Sequence, residues 1–289
     1  MIYAMKPRLR LAASLLLPIV ALFVVARIAA AQAPTEFTRA AATLPPDARA
    51  VANRLMSLRQ LPDGAWKFHT GDLAHGEDAN LDDSAWPIMP MGTQASSDAV
   101  WFRQTIVVPQ TLNGYDLTGA RIWFQFHASA NGPLPEILYL NGRRVALGEE
   151  LEPVVLFDSA QPGAKAVVAV ELMHTVDTKH FLGATMRIDL PESRPNPVNL
   201  AEEFLSAADL IPSLAAGNPA PMATLQSAIH AVDMDALNDN ARNSAKFDDS
   251  LKTAQQQLDA LRPLLQQATF HLDGNAHIDA AWLDRKSVV

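Results

Sequence analysis

The sequence predicts a mainly β protein, a sandwich or barrel of short strands, followed by an α-helical segment. Three observations carry this. Between about Trp66 and Leu190, short apolar runs alternate with Asn-Gly and Pro-Gly pairs, the punctuation of strands joined by tight turns. Past Leu190 the apolar spacing changes to three, four and seven, the period of a helix with one buried face. Apolar residues make up 49% of the 289, enough for a sizeable core in one large domain or two smaller ones.

The N-terminus carries an export signal over residues 1–31. Lys6, Arg8 and Arg10 form a basic start, Leu11 to Ala26 is apolar with one Pro18, and Ala29-Ala30-Ala31 supplies the small residues a signal peptidase needs before Gln32. The competing reading, an uncleaved anchor, fits less well. The apolar run is shorter than the ~20 residues of a spanning helix, and Arg27 closes it. The mature chain is expected in the periplasm or outside the cell, with no membrane span after cleavage. A net charge of -8 argues against nucleic-acid partners. The absence of cysteine excludes disulfides and thiolate metal sites. Residues 32–59 read as a leader, in which Pro45 and Pro46 ahead of Asp47 to Ala52 predict a short helix.

The strand pattern occupies residues 60–190. Trp101 to Val108 alternates at its start and stops at Pro109; Arg121 to His127, Glu136 to Leu140 and Ala166 to Leu172 follow. Turns are expected at Asn113-Gly114, Asn131-Gly132-Pro133, Asn141-Gly142 and Pro162-Gly163. At Asn141-Gly142 a two-residue type I′ turn, which needs positive φ at both central residues, would send Arg143-Arg144-Val145 back as the return strand. The succession Asp82-Asp83-Ser84-Ala85-Trp86, Trp101-Phe102-Arg103 and Tyr139-Leu140-Asn141-Gly142 resembles the galactose-binding-like jelly roll. That resemblance implies an accessory domain of the kind found in several glycosidase families.

Residues 191–267 read as a helical linker. Pro191, Pro195 and Pro197 open it, and a helical pattern runs from Val198 to Leu214. Pro219 and Pro221 interrupt before a second helix over Met222 to Leu237. The longest helix is predicted from Ser244 to Leu265, its stripe being Phe247, Leu251, Leu258, Leu261 and Leu265, with Pro263 bending or closing its last turn.

The most specific motif comes last. Ala268 to Leu272 reads as a buried strand, followed by Gly274-Asn275-Ala276-His277-Ile278-Asp279-Ala280-Ala281-Trp282-Leu283. On an extended backbone His277 and Asp279 project to one face, offering a nitrogen and an oxygen to a divalent metal. The run resembles the opening strand of the catalytic domain in glycoside hydrolase family 38, the α-mannosidases. The resemblance implies that residues 268–283 begin an α/β catalytic barrel, with His277 and Asp279 as Zn2+ ligands and Trp282 lining the sugar site. It also implies α-mannoside glycans as partners and a retaining two-step hydrolysis in the complete enzyme. The family's remaining ligands, nucleophile and general acid come from later sequence, so this chain is expected to hold half a zinc site and to be inactive alone. The plainer reading is that His277 and Asp279 pair with each other or with backbone and that Trp282 is core. Asp284-Arg285-Lys286-Ser287-Val288-Val289 departs from the family, and the same hexapeptide is what a short-read sequencing adapter encodes; residues 284–289 are expected to be an artefactual tail.

A second function fits the same strands: a non-catalytic, secreted carbohydrate-binding or adhesion module. Trp66, Trp86, Trp101 and Trp123 are candidates to stack on sugar, although core packing is the default for each. His127, His174 and His180 have no metal-ligand spacing. Asp82/Asp83 and Glu149/Glu150 read as solvated turns, with calcium as the lesser reading. No phosphate loop, nucleotide fingerprint or Gly-x-Ser-x-Gly elbow occurs.

Overall fold

A computed structural model describes residues 36–238 and 243–269. The strands β1 (Gln60–Leu61), β2 (Trp66–Thr70), β3 (Ile88–Met89), β4 (Gln94–Ala95), β5 (Val100–Val107), β6 (Arg121–Ser129), β7 (Glu136–Leu140), β8 (Arg143–Gly148), β9 (Val154–Phe157), β10 (Lys165–Leu172) and β11 (Lys179–Asp189) form two sheets. One has the order β1-β11-β6-β9, with β4 also on β11; the other runs β3-β2-β5-β10-β7-β8. Every pairing between these strands is antiparallel. Antiparallel pairing suits one-sided burial, and the alternation of β6 follows it: Ile122, Phe124 and Phe126 are buried, while Trp123, Gln125 and His127 are half-buried on the other face.

The inner faces meet through aromatic rings. Phe102 of β5 stacks on Phe181 of β11 at 4.8 Å, and Trp66 of β2 meets Phe126 of β6 edge-on at 5.2 Å. Such pairs add roughly 0.5–1.5 kcal/mol each to simple burial. Asn141 (φ 50°) and Gly142 (φ 81°) make the β7–β8 hairpin turn in the geometry that their types predict.

Asn113 and Gly114 make another such turn, closed by reciprocal 2.8 Å bonds between Leu112 and Tyr115. This one joins no pair of sheet strands. It docks on helices instead. Arg54 donates to the Asn113 carbonyl at 2.7 Å, and a Cβ on Gly114 would lie 2.2 Å from the Leu237 carbonyl oxygen.

Those helices are α1 (Glu36–Thr43), α2 (Pro46–Met56), α3 (Pro197–Leu214), α4 (Ala220–His230), α5 (Met234–Asn238), α6 (Ser244–Asp259) and α7 (Arg262–Leu265). Asn196 caps α3, accepting from Val198 N and Asn199 N, and Pro197 occupies the first turn, where no N–H is required. The stretch read as a leader supplies α1 and α2, and these pack on α3: Thr43 Oγ1 donates to the Ala208 carbonyl at 3.3 Å. Leader and linker are thus parts of one helical layer. Arg194 ties that layer to the sandwich, paired with Asp248 at 2.8 Å, donating to the Asp116 carbonyl at 2.8 Å and lying 4.7 Å over Tyr115.

Two expected helices are each divided. Met222 to Leu237 becomes α4 and α5, with Asp233 accepting from Ala236 N to start the second. Ser244 to Leu265 becomes α6 and α7, because Pro263, lacking an N–H, fits the first turn of a new helix and not the interior of a long one. The longest strand, β11, has no counterpart in the sequence reading. Gly183, at φ 93°, sits at a register shift between Phe181 and Gly183, so the apolar alternation changes phase midway.

One buried carboxyl yields a stability prediction. Glu136 opens β7 at 4% exposure; Oε1 accepts from Leu151 N at 3.4 Å while Oε2 is buried without a hydrogen-bond partner. Burial pushes its pKa up to about 7 from 4.5. Between those values the folded state holds the extra proton, so stability falls as pH rises through the window. At ~1.4 kcal/mol per unit, Glu136→Gln should gain about 1–3 kcal/mol at pH 8 and little at pH 4. Urea unfolding at both values checks this, and an equal gain at both refutes it.

Candidate functional site

A sandwich has two outer faces, and here they differ. The six-stranded sheet is crossed by the segment 71–86. Gly76 lies so close to Trp101 that a Cβ there would sit 2.6 Å from the indole. Arg103 donates to the Gly76 carbonyl at 2.6 Å, the Asp78 carbonyl at 2.9 Å and Asp83 Oδ2 at 3.1 Å. Lys67 meets the other oxygen of Asp83 at 2.6 Å. Trp86 closes the strap against His69 at 5.3 Å.

The outer face of the five-stranded sheet is open. The register places Arg187 of β11 beside Trp123 of β6, with Arg121 two residues before Trp123 on the same strand. Their guanidinium carbons lie 5.6 Å and 5.9 Å from the indole centroid. Asp189 accepts from Trp123 Nε1 at 2.6 Å and from Arg187 at 3.3 Å, which fixes the ring's orientation. Arg121 pairs with Asp158 at 2.6 Å. Further along β6, Gln125 donates to the Leu151 carbonyl at 3.0 Å, and His127 Nε2 lies 3.0 Å from Thr185 Oγ1. Burial lowers the His127 pKa against the opposing charge of Asp63, so the ring is neutral near pH 7. The Arg187 and Arg121 side chains keep 57% and 49% of their surface exposed, so a ligand can reach their unused N–H groups.

The structure therefore sorts the candidate tryptophans. Trp66 and Trp101 are buried; Trp86, the last residue of the strap, is half-buried against His69; and Trp123, also half-buried, stands on the open face of the other sheet. The acidic pairs differ too. Asp82 caps its own turn, accepting from Ser84 N, and Glu149 and Glu150 are exposed. Asp83 is not a solvated turn residue but the shared anion of Lys67 and Arg103, because the strap folds it back over β2 and β5. His174 is exposed 3.8 Å from Asp98, and His180 is half-buried on β11. Among the described residues, no group of three or more His, Cys, Asp or Glu is placed to hold a metal, and no helix is long and apolar enough to cross a membrane. The motif residues His277, Asp279 and Trp282, the export signal at 1–31 and the tail at 284–289 lie outside the described residues.

No protein-family profile matches the chain, and no curated protein matches it. Solved structures do. A glycosyl hydrolase family 2 member from Bacteroides cellulosilyticus is similar at 21% identity and a TM-score of 0.36, covering 46% of this chain and 21% of that one. A β-glucuronidase from Ruminococcus gnavus, in complex with D-glucuronic acid, is similar at 18% identity and a TM-score of 0.33, covering 45% of this chain and 29% of that one. A Bacteroides uniformis β-glucuronidase is similar at 16% identity and a TM-score of 0.31, covering 44% and 17%. The chain thus spans under a third of the length of these structures. This finding corrects the expectation of a zinc-dependent family 38 α-mannosidase, since the neighbours belong to a different glycosidase family. Ten residues supply only part of a metal site, and a His and an Asp two apart form the same pattern without any metal.

Proposed function

We propose that the described residues form a non-catalytic accessory domain of a carbohydrate-active protein, a jelly-roll sandwich that contacts saccharide while bond cleavage belongs to residues elsewhere. One observation supports this above the rest: the sandwich leaves one outer face open, and that face carries an oriented tryptophan amid arginine, carboxylate, carboxamide and imidazole groups. Sugar rings have apolar C–H faces and polar rims, so they are recognised by an aromatic plane with hydrogen-bonding side chains around it. The jelly-roll resemblance over residues 60–190 agrees with that role, although a fold alone does not carry it. Export directed by residues 1–31 would place the domain where polysaccharides are met.

The test uses the full chain on a panel of immobilised and soluble glycans, with α-mannosides as one arm. Saturable binding without release of aglycone from aryl glycosides is expected. Glycosidic turnover by the purified chain, or no binding to any glycan, would refute the reading.

A further inference from the structure

We infer that the saccharide site is the Trp123 face of the five-stranded sheet and that its ligand is a neutral hexopyranose unit, not a uronate. This rests on the accessory-domain reading above and deepens it. Three features of the face carry the argument: position, charge and unused hydrogen-bonding capacity.

Position comes first. Of the tryptophans on the two sheets, Trp66 sits between them and Trp101 lies beneath Gly76 of the strap; Trp123 projects from the uncovered face. Its indole is not free to rotate, because Asp189 holds Nε1 at 2.6 Å. An oriented ring loses little side-chain entropy when a ligand stacks on it.

Charge selects the class. Each arginine beside the ring already has a carboxylate: Arg121 has Asp158 and Arg187 has Asp189. The face around Trp123 is therefore electrically balanced, and His127 adds no charge near neutral pH. A uronate that accepted from those guanidiniums would lie beside Asp158 or Asp189, so its charge would meet a carboxylate as well as a cation. A neutral ring brings no such charge. It can accept from the free N–H groups of Arg121 and Arg187 while donating hydroxyls to Asp158 and Asp189.

The extent of the face suits more than one ring. From Trp123 the outward side chains continue along β6 through Gln125 to His127, with Thr185 beside them on β11. Successive outward residues on a strand are ~7 Å apart, so Trp123 to His127 spans the length of two to three pyranose units.

The experiment is isothermal titration of the full chain with neutral hexose oligosaccharides and with matched glucuronate-containing ones. Trp123→Ala, Trp123→Phe and Arg187→Met are compared with Trp86→Phe at the end of the strap on the opposite sheet, and circular dichroism verifies folding. Trp123→Ala should weaken binding about 10-fold or more, the scale of one lost stacking contact with its buried area. Trp123→Phe should recover part of it, Arg187→Met should lose several-fold, and Trp86→Phe should bind as the parent does. Arg187 is on the surface, so its variant tests the site even if Trp123→Ala fails to fold. Binding that survives unchanged in both Trp123→Ala and Arg187→Met overturns the site and leaves the accessory-domain reading standing. Preference for the glucuronate ligands overturns the ligand class. Failure of the parent chain to bind any saccharide overturns both readings together.

Discussion

Replacing Arg103 with Met should cost about 3–5 kcal/mol of folding stability, the scale of removing one partner from a buried charged network. The side chain is 1% exposed and divides its donors among the Gly76 carbonyl, the Asp78 carbonyl and Asp83. Methionine fills a similar volume but donates nothing. Two carbonyls of the strap would lose their donor, and Asp83 would keep only Lys67. Arg103→Lys should cost less than Met but more than an exposed Arg-to-Lys change, because a point ammonium cannot reproduce the planar fork that reaches three acceptors. Urea unfolding gives the stability, and limited proteolysis should show earlier cleavage within residues 71–86. An acid-side readout separates this network from general loss of packing. Burial pushes the Asp83 pKa up, but Lys67 and Arg103 together hold it below the usual carboxylate value. Its stabilising contribution is therefore present at neutral pH and lost as pH falls through the folded pKa. In Arg103→Met that acid-side slope should be shallower than in the parent. An unchanged slope, or a loss below 1 kcal/mol, would mean the strap is held by Trp86 and Lys67 without Arg103.

This network marks the limit of what the sequence makes legible. Asp83 and Arg103 both lay in segments that resemble a jelly roll, yet their partnership is set by a strap that folds back across twenty residues, and no local period encodes it. The turns were legible because their cause is local: Asn141-Gly142 tolerates positive φ wherever it occurs. Central strands such as β7 and β10 were legible for the same reason, each being a short apolar run between breakers. The Gly183 shift hid β11, since a register change reverses which residues face inward. The helical layer was half legible. Its apolar stripe gave the buried face of α6 through Phe247, Leu251 and Leu258, but only tertiary packing joins α1 and α2 to α3. The open face was the least legible feature of all. Trp66, Trp86, Trp101 and Trp123 are equivalent in a one-dimensional reading, and only the sheet face that each occupies and the strap's course across one sheet separate them.

Lys179 should be the second most sensitive position, with Lys179→Met costing about 2–4 kcal/mol. It opens β11 fully buried, and its ammonium donates to three consecutive carbonyls, Ser96 at 3.1 Å, Ser97 at 3.0 Å and Asp98 at 2.7 Å. Those three acceptors use all three of its N–H groups. The ammonium thus holds the 96–98 loop as a bound cation would. Two effects oppose in the variant. Each carbonyl left without a donor costs roughly 1–3 kcal/mol if it stays dry, while the burden of burying an ammonium disappears. Burial lowers the Lys179 pKa, with Asp98 opposing, so that burden is real. Ser96 and Asp98 are exposed residues, so part of the carbonyl loss can be recovered by hydration, which keeps the expected cost below the sum of three bonds. The titration provides the decisive control. Because the folded pKa lies below the unfolded one, the unfolded state holds more protons in the window beneath 10.5, and parent stability should rise with pH there. Lys179→Met should lack that rise. A variant as stable as the parent at pH 7 would mean the 96–98 loop needs no cation, and a retained alkaline rise would assign it to another lysine.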